Sequence, residues 1–377
     1  MKKISFVLMA FFLVFVTVGC SNKEKLVLLN WGEYINKEVV TLFEEEYHCV
    51  VVDPIVDSNE GFYEKVTSET SIYDLVVPSD YMIEKMHDEG LLQKIDLTKL
   101  TNYDPINNPL MPGVLGIQGE MFEGNEEYAV PYFWGTWGLM YNKQVAGLET
   151  AILANGWDAF FETDKVPAGT RVGMYNIPRY AYAAAMLYLG RSINEESADA
   201  LASAQTVLEM RPFTEWGTDS LKKAIVADNL DIAFVWTGDF LDMLYTSLDT
   251  DPNLANITYD IYIPEDTVAF MDCLCIPANA RNVELAHKFI DFMLRPAMAY
   301  LNASVVGYCT PVLRAYEDIV NYVGDDAWLT SWAYANNLYY PMPAPEDPVQ
   351  FKGTPIANLS NDFVNQINTM VNNVKAG

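Results

Sequence analysis

Three apolar, strand-like runs of this 377-residue chain end where an aromatic residue and a carboxylate stand within three positions of each other: Trp31 with Glu33, Trp236 with Asp239, and Phe270 with Asp272. Ring faces attract ammonium groups through their quadrupole, and carboxylates add full charge and hydrogen-bond acceptors. A pocket built from both therefore favours organic amines over anions or metal ions. Taken singly, each residue has a plainer use: a tryptophan at a strand end is commonly a core residue, and an isolated acid caps a helix or pairs with a surface cation. The recurrence of the same couple at three strand ends turns the reading toward a ligand.

Charge points the same way. With 23 Lys and Arg against 51 Asp and Glu, the formal net charge is −28. Such an excess disfavours nucleic acid and anionic surfaces and raises the local concentration of cationic ligands, although most of these carboxylates need only keep the protein soluble. No Gly-x-Ser-x-Gly elbow, His-Glu-x-x-His pair, P-loop or glycine-rich dinucleotide fingerprint occurs, so no catalytic residue and no cofactor is expected. A glycosidase with two unmarked carboxylates remains as the enzymatic alternative. His48, His87 and His287 are scattered without zinc-type spacing, and no metal site is expected. Cys49, Cys273, Cys275 and Cys309 read as buried free thiols, Cys273 and Cys275 being two apart on one strand and so a poor pair for each other.

The elements that must position these groups alternate between strand and helix. Residues 26–29 are a continuous apolar run, 39–47 have helical spacing, and 49–55 return to strand-forming residues. A short helix with Phe62 and Val66 follows, then a strand over 73–77 and a helix from Ser79 that Gly90 ends. Residues 102–128 break the rhythm, and 131–136 read as a crossing between two lobes. A second region repeats the alternation, with strands at 171–175 and 231–236 and helices at 181–189, 197–208 and 221–227. A return strand spans 270–276, residues 283–294 form an amphipathic helix, and the tail is mostly helical apart from a proline-rich stretch at 341–348. This order predicts an α/β protein with parallel sheets, whose ligands bind at the carboxyl ends of strands. The length exceeds what one core usually serves, so two lobes are expected: 26–134 plus 271–316, and 135–270 plus 317–377.

The N-terminus carries Lys2 and Lys3, an apolar stretch at 4–18, then Gly19 and Cys20. The stretch is short for a membrane span and reads as an export signal over residues 1–19. It resembles a bacterial lipoprotein signal, which implies lipidation at Cys20 and a tether over 20–25. An ordinary secreted protein or an uncleaved anchor are the alternatives.

Several motifs in order carry a family resemblance. Leu29-Asn30-Trp31-Gly32-Glu33-Tyr34-Ile35, Tyr73-Asp74-Leu75-Val76-Val77-Pro78-Ser79-Asp80-Tyr81 and Gly90-Leu91-Leu92-Gln93 stand in the first part. Val130-Pro131-Tyr132-Phe133-Trp134-Gly135, Val235-Trp236-Thr237-Gly238-Asp239, Met271-Asp272-Cys273 and Val306-Gly307-Tyr308-Cys309-Thr310-Pro311 follow. Together they closely resemble the bacterial spermidine/putrescine-binding proteins of ABC importers. The resemblance implies a two-lobed periplasmic-binding-protein fold of type II, each lobe a mixed sheet flanked by helices with a hinge between. It also implies a ligand site made of Trp31, Glu33, Tyr34, Ser79, Asp80, Tyr81, Trp236, Asp239, Phe270, Asp272 and Tyr308, with Asp272 the strongest amine partner. Ser79 is equally placed to cap a helix.

Two departures from the family bear on the amine. Where spermidine binders have two further acids, this chain aligns Ile177 and Tyr180, with Arg179 between them ready to repel a cation if it points inward. Asp239 matches the putrescine-binding members. Putrescine is therefore expected ahead of spermidine, a spermidine-preferring receptor being the alternative. The expected whole is a monomeric, extracytoplasmic lipoprotein at the cell membrane that binds a polyamine and delivers it to the permease of an ABC importer. It would touch the membrane only through its lipid and would not bind nucleic acid.

Overall fold

The computed structural model describes residues 23–68, 72–339 and 353–377. The expected export signal, Cys20 and the proline-rich stretch at 341–348 lie outside the described residues.

The first sheet is built on β1 (Lys25–Trp31), where Leu26, Leu28 and Leu29 are all buried, as befits a central parallel strand covered on both faces. Along one edge run β2 (Val50–Val52) and β3 (Ile55–Val56), along the other β4 (Leu75–Val76), all parallel to β1. The single strand expected at 49–55 is thus two, because Pro54 between them has no N–H to give a ladder. The connecting helix Lys37–Tyr47 is capped by the Asn36 side chain, which accepts from the Glu38 N–H, and it buries Val39 and Phe43. β5 (Leu92–Gln93) leaves this region.

β6 (Val130–Asn142) is buried along its whole length, and the crossing expected at 131–136 lies within it. It is the middle of a second, larger sheet. Along the chain follow β7 (Val172–Tyr175), β8 (Glu215–Gly217), β9 (Ile232–Trp236), β10 (Tyr259–Tyr262), β11 (Val268–Leu274), β12 (Ile276–Pro277) and β13 (Thr354–Pro355). The order across the large sheet is β13-β11-β6-β9-β7-β8, with β10 also paired to β6, while β12 pairs with β5. β7, β8 and β9 are parallel to each other, whereas β6 is antiparallel to β9, β10 and β11.

β6 and β11 tie the sheets together. Residues 137–142 of β6 pair with β9 and β10, while 130–136 pair with β11, Trp134 also bridging to Cys309. β11 begins beside β13, bulges between Asp272 and Cys273, and then meets the first sheet: Cys273 N–H donates to the Pro78 carbonyl at 3.1 Å and Cys275 N–H to that of Val76 at 2.9 Å. Helix Asn361–Ala376 packs on helices Pro178–Tyr188 and Ala198–Glu209, and helix Ala327–Tyr339 packs on Thr237–Thr250. Cys49, Cys273, Cys275 and Cys309 are buried and free. Among the described residues no helix is long and apolar enough to cross a membrane.

Candidate functional site

A cleft of about 670 Å³ opens where the carboxyl ends of β1, β7 and β9 face the join between β11 and the first sheet. Trp31, Glu33, Tyr34, Ser79 and Tyr81 line it from the first part of the chain, and Trp236, Asp239, Phe270, Asp272 and Tyr308 from the rest.

Asp272 sits on β11, 5% exposed. One carboxylate oxygen accepts the Ser79 hydroxyl at 2.6 Å and the other accepts the Tyr34 hydroxyl at 2.6 Å. Burial raises its pKa to about 6, against the opposing pull of these two donors. Among the described residues no Lys, Arg or His pairs with it. Ser79 occupies the N-cap position of helix Asp80–Asp88, yet its hydroxyl makes no cap bond and serves Asp272 instead. Asn59 orients that hydroxyl: its Nδ2 donates to Ser79 Oγ at 3.1 Å and its Oδ1 accepts the Ser79 N–H at 2.9 Å. Burial pushes the Tyr34 phenol well above its ordinary range, so it stays protonated and donating.

Aromatic rings continue from that carboxylate. Tyr34 packs edge-on against Tyr308 with centroids 5.0 Å apart, Tyr308 against Phe270 at 5.9 Å, and Phe270 against Trp236 at 4.6 Å. Trp31 is fixed by its indole N–H, which donates to the Val77 carbonyl at 2.8 Å, and by an edge contact with Phe62 at 4.9 Å. Gly238 makes room for Tyr308: a Cβ there would lie 2.2 Å from the ring. Glu33 is exposed at the cleft with φ 54°, a left-handed backbone uncommon outside glycine.

Asp239, in the first turn of helix Thr237–Thr250, is already engaged. Its Oδ1 accepts the Lys222 ammonium at 2.8 Å and the Tyr308 hydroxyl at 3.1 Å, and its Oδ2 accepts the Tyr175 hydroxyl at 3.2 Å. Lys222 also reaches Asp242 at 3.1 Å. Burial and then the carboxylates of Asp239 and Asp242 act on that ammonium in opposite directions, and the carboxylates prevail, raising its pKa. Asp242 and Asp219 both line the cleft, and burial raises both.

Asp80 departs from expectation. It is absent from the cleft wall and 3% exposed, its Oδ1 accepting the Tyr81 N–H at 2.8 Å, because the first helical position turns its side chain inward. Ile177 and Tyr180 do line the cleft. Arg179 turns away, donating to the Ile193 carbonyl at 3.0 Å and to Asn194 Oδ1 at 2.7 Å, and burial lowers its pKa to about 10. Sequence reasoning missed Tyr175, Asp219, Lys222 and Asp242. Tyr175 closes a predicted strand and was open to the same strand-end argument as Trp236. Lys222 carries a weaker signal, as a lysine next to the apolar stripe formed by Leu221 and Ile225.

The cleft can therefore hold an ammonium at Asp272, with rings for the methylenes beside it and further carboxylates at the other end. Comparisons with known proteins agree with this chemistry. The family model for bacterial extracellular solute-binding proteins matches residues 43–334, more than half of the chain. The spermidine/putrescine-binding periplasmic protein of Salmonella typhimurium is 28% identical over 310 residues, covering 81% of this chain and 83% of that protein. The putrescine-binding periplasmic protein PotF of Escherichia coli is 28% identical over 295 residues, covering 75% and 77%. Among solved structures, the TpPotD lipoprotein of Treponema pallidum superposes with a TM-score of 0.71 at 26% identity, over 93% of this chain and 99% of that one. The common fold is the two-lobed α/β arrangement of type II periplasmic binding proteins.

Proposed function

Because the chain belongs to the family of bacterial extracellular solute-binding proteins, we propose that it is a non-catalytic receptor that captures a polyamine in the cleft and delivers it to the permease of an ABC importer. The observation that carries this reading is Asp272: a buried carboxylate, oriented by two hydroxyls and beside a run of aromatic rings, with no cation of the chain's described residues beside it. A charge so placed is costly to ionise until a cation arrives, and an ammonium supplies one. Rings and acid together give the ammonium at Asp272 roughly 2 to 5 kcal/mol, and burial of the methylenes against the rings, with a smaller part from the second ammonium, brings the total toward the roughly 8 kcal/mol that micromolar binding needs.

Lobe 1 is taken as 26–134 plus 271–316 and lobe 2 as 135–270 plus 317–377, a division supported by the two halves of β6 and of β11 having different neighbours. Export and a lipid on Cys20 would hold the receptor, as a monomer, outside the cytoplasmic membrane. A diamine such as putrescine suits the cleft better than spermidine, since Ile177 and Tyr180 offer no carboxylate to a third nitrogen. Calorimetric titration with putrescine, cadaverine, spermidine and spermine tests this. Binding to at least the diamines is expected, with the amine recovered unchanged. Absence of heat with all four would overturn the reading, and spermidine binding tenfold tighter than putrescine would overturn the preference.

A further inference from the structure

Lys222 brings an ammonium of the chain's own into a cleft whose other charged lining residues are carboxylates. It lies on the short helix Ser220–Val226, is 8% exposed, and its Nζ sits 2.8 Å from Asp239 Oδ1 and 3.1 Å from Asp242 Oδ2. Tyr308 and Tyr175 take up further acceptor capacity on Asp239. At the other end Asp272 receives two hydroxyls and no cation. The two acids are joined through the edge-packed pair Tyr34 and Tyr308, so a ligand whose first ammonium reaches Asp272 extends its chain along rings that lead to Asp239. A second ammonium arriving there meets a like charge in surroundings that screen it poorly.

We infer that Lys222 is a built-in competitor for the distal ammonium of the ligand, and that a diamine binds by displacing it from Asp239. The exchange is open to a lysine, whose four-carbon stem is flexible and whose charge is a point donor rather than a fixed fork. Asp242 already holds the same Nζ, and Asp219 lines the adjacent wall, so the displaced ammonium keeps a carboxylate. Because one ion pair is traded for another, the distal ammonium adds little affinity. Lys222 thereby sets how strongly the receptor separates diamines from monoamines. This inference rests on the reading of the cleft as an amine receptor.

The test compares putrescine with n-butylamine, which has the same carbon chain and one ammonium, on the full chain. In the native protein putrescine is expected to bind at most about tenfold tighter than butylamine. K222M should tighten putrescine at least tenfold and leave butylamine within threefold. K222M with D242N, which keeps the summed charge of the cluster, should do the same and guards against misfolding from an uncompensated buried acid. A third measurement needs no variant: with isotope-labelled lysine, the sheltered Lys222 ammonium should give a resonance that saturating putrescine shifts and butylamine leaves in place. Putrescine affinity unchanged or weakened in both variants, or a Lys222 resonance indifferent to putrescine, overturns the inference while the receptor reading stands. Failure of the native protein to bind either amine overturns both.

Discussion

At the scale of single residues, Asp272 joins ligand chemistry to the stability of the empty protein. Its pKa of about 6 lies above the ordinary carboxylate value, so the folded state holds this proton more tightly than the unfolded chain does. The stability it contributes is present at low pH and is lost as pH rises from the ordinary range through about 6. Asp272→Asn removes the buried charge, so at pH 7 the unliganded variant should melt higher, by roughly 1 to 3 kcal/mol, in a thermal or denaturant titration. The same substitution should weaken putrescine at least tenfold; an unchanged binding constant would remove Asp272 from the ligand site. Binding requires the ionised acid, so native affinity should fall as pH drops through 6, approaching about tenfold per pH unit below it. A profile flat from pH 5 to 7 would contradict this. Glu33, Asp239 and Asp272 were legible in the sequence as acids beside rings, but the Lys222 contact with Asp239 was not. The residues Lys222 and Asp239 come from different helices, and only the packing of Ser220–Val226 against Thr237–Thr250 makes them neighbours.

At the scale of elements, the strands that carry the site were the clearest part of the sequence, because β1 and β9 are apolar runs cut off by polar residues and β11 is an apolar run interrupted by the single acid Asp272. β8 and β10 were not legible: Glu215–Gly217 is three half-buried residues, and Tyr259–Tyr262 contributes a single edge pairing to β6. Asp80 was misjudged for a related reason. Sequence marks a residue as following a strand but does not say which way the first turn of the next helix rotates it. Helix Thr237–Thr250 offers a sharp test of element packing. Gly238→Ala places a methyl 2.2 Å from the Tyr308 ring, too close to be absorbed without moving the tyrosine, which donates to Asp239. The variant should fold with reduced stability and lose diamine affinity at least tenfold; unaltered calorimetry would show that Tyr308 does not need its position.

At the scale of the whole molecule, β6 and β11 carry the large sheet up to the first, where β11 and the residue after it bridge to Ser79 and Val76, and rotation about those strands is the motion the topology allows. Closing the cleft around an ammonium strips water from Asp272 and strengthens the attraction that drew the ligand in. Small-angle scattering should therefore record a smaller radius of gyration in saturating putrescine than without it, and equal radii would argue against closure. These strands also govern the order of assembly. Phe270 is the ladder partner of Gly135, so the middle strand of the large sheet waits for a neighbour that the ribosome makes much later. Contacts so distant in sequence form slowly, and the middle of the large sheet closes only after residue 270 has been made. Under the export proposed above, a thread that delays its own collapse would meet a narrow secretion channel before it sets.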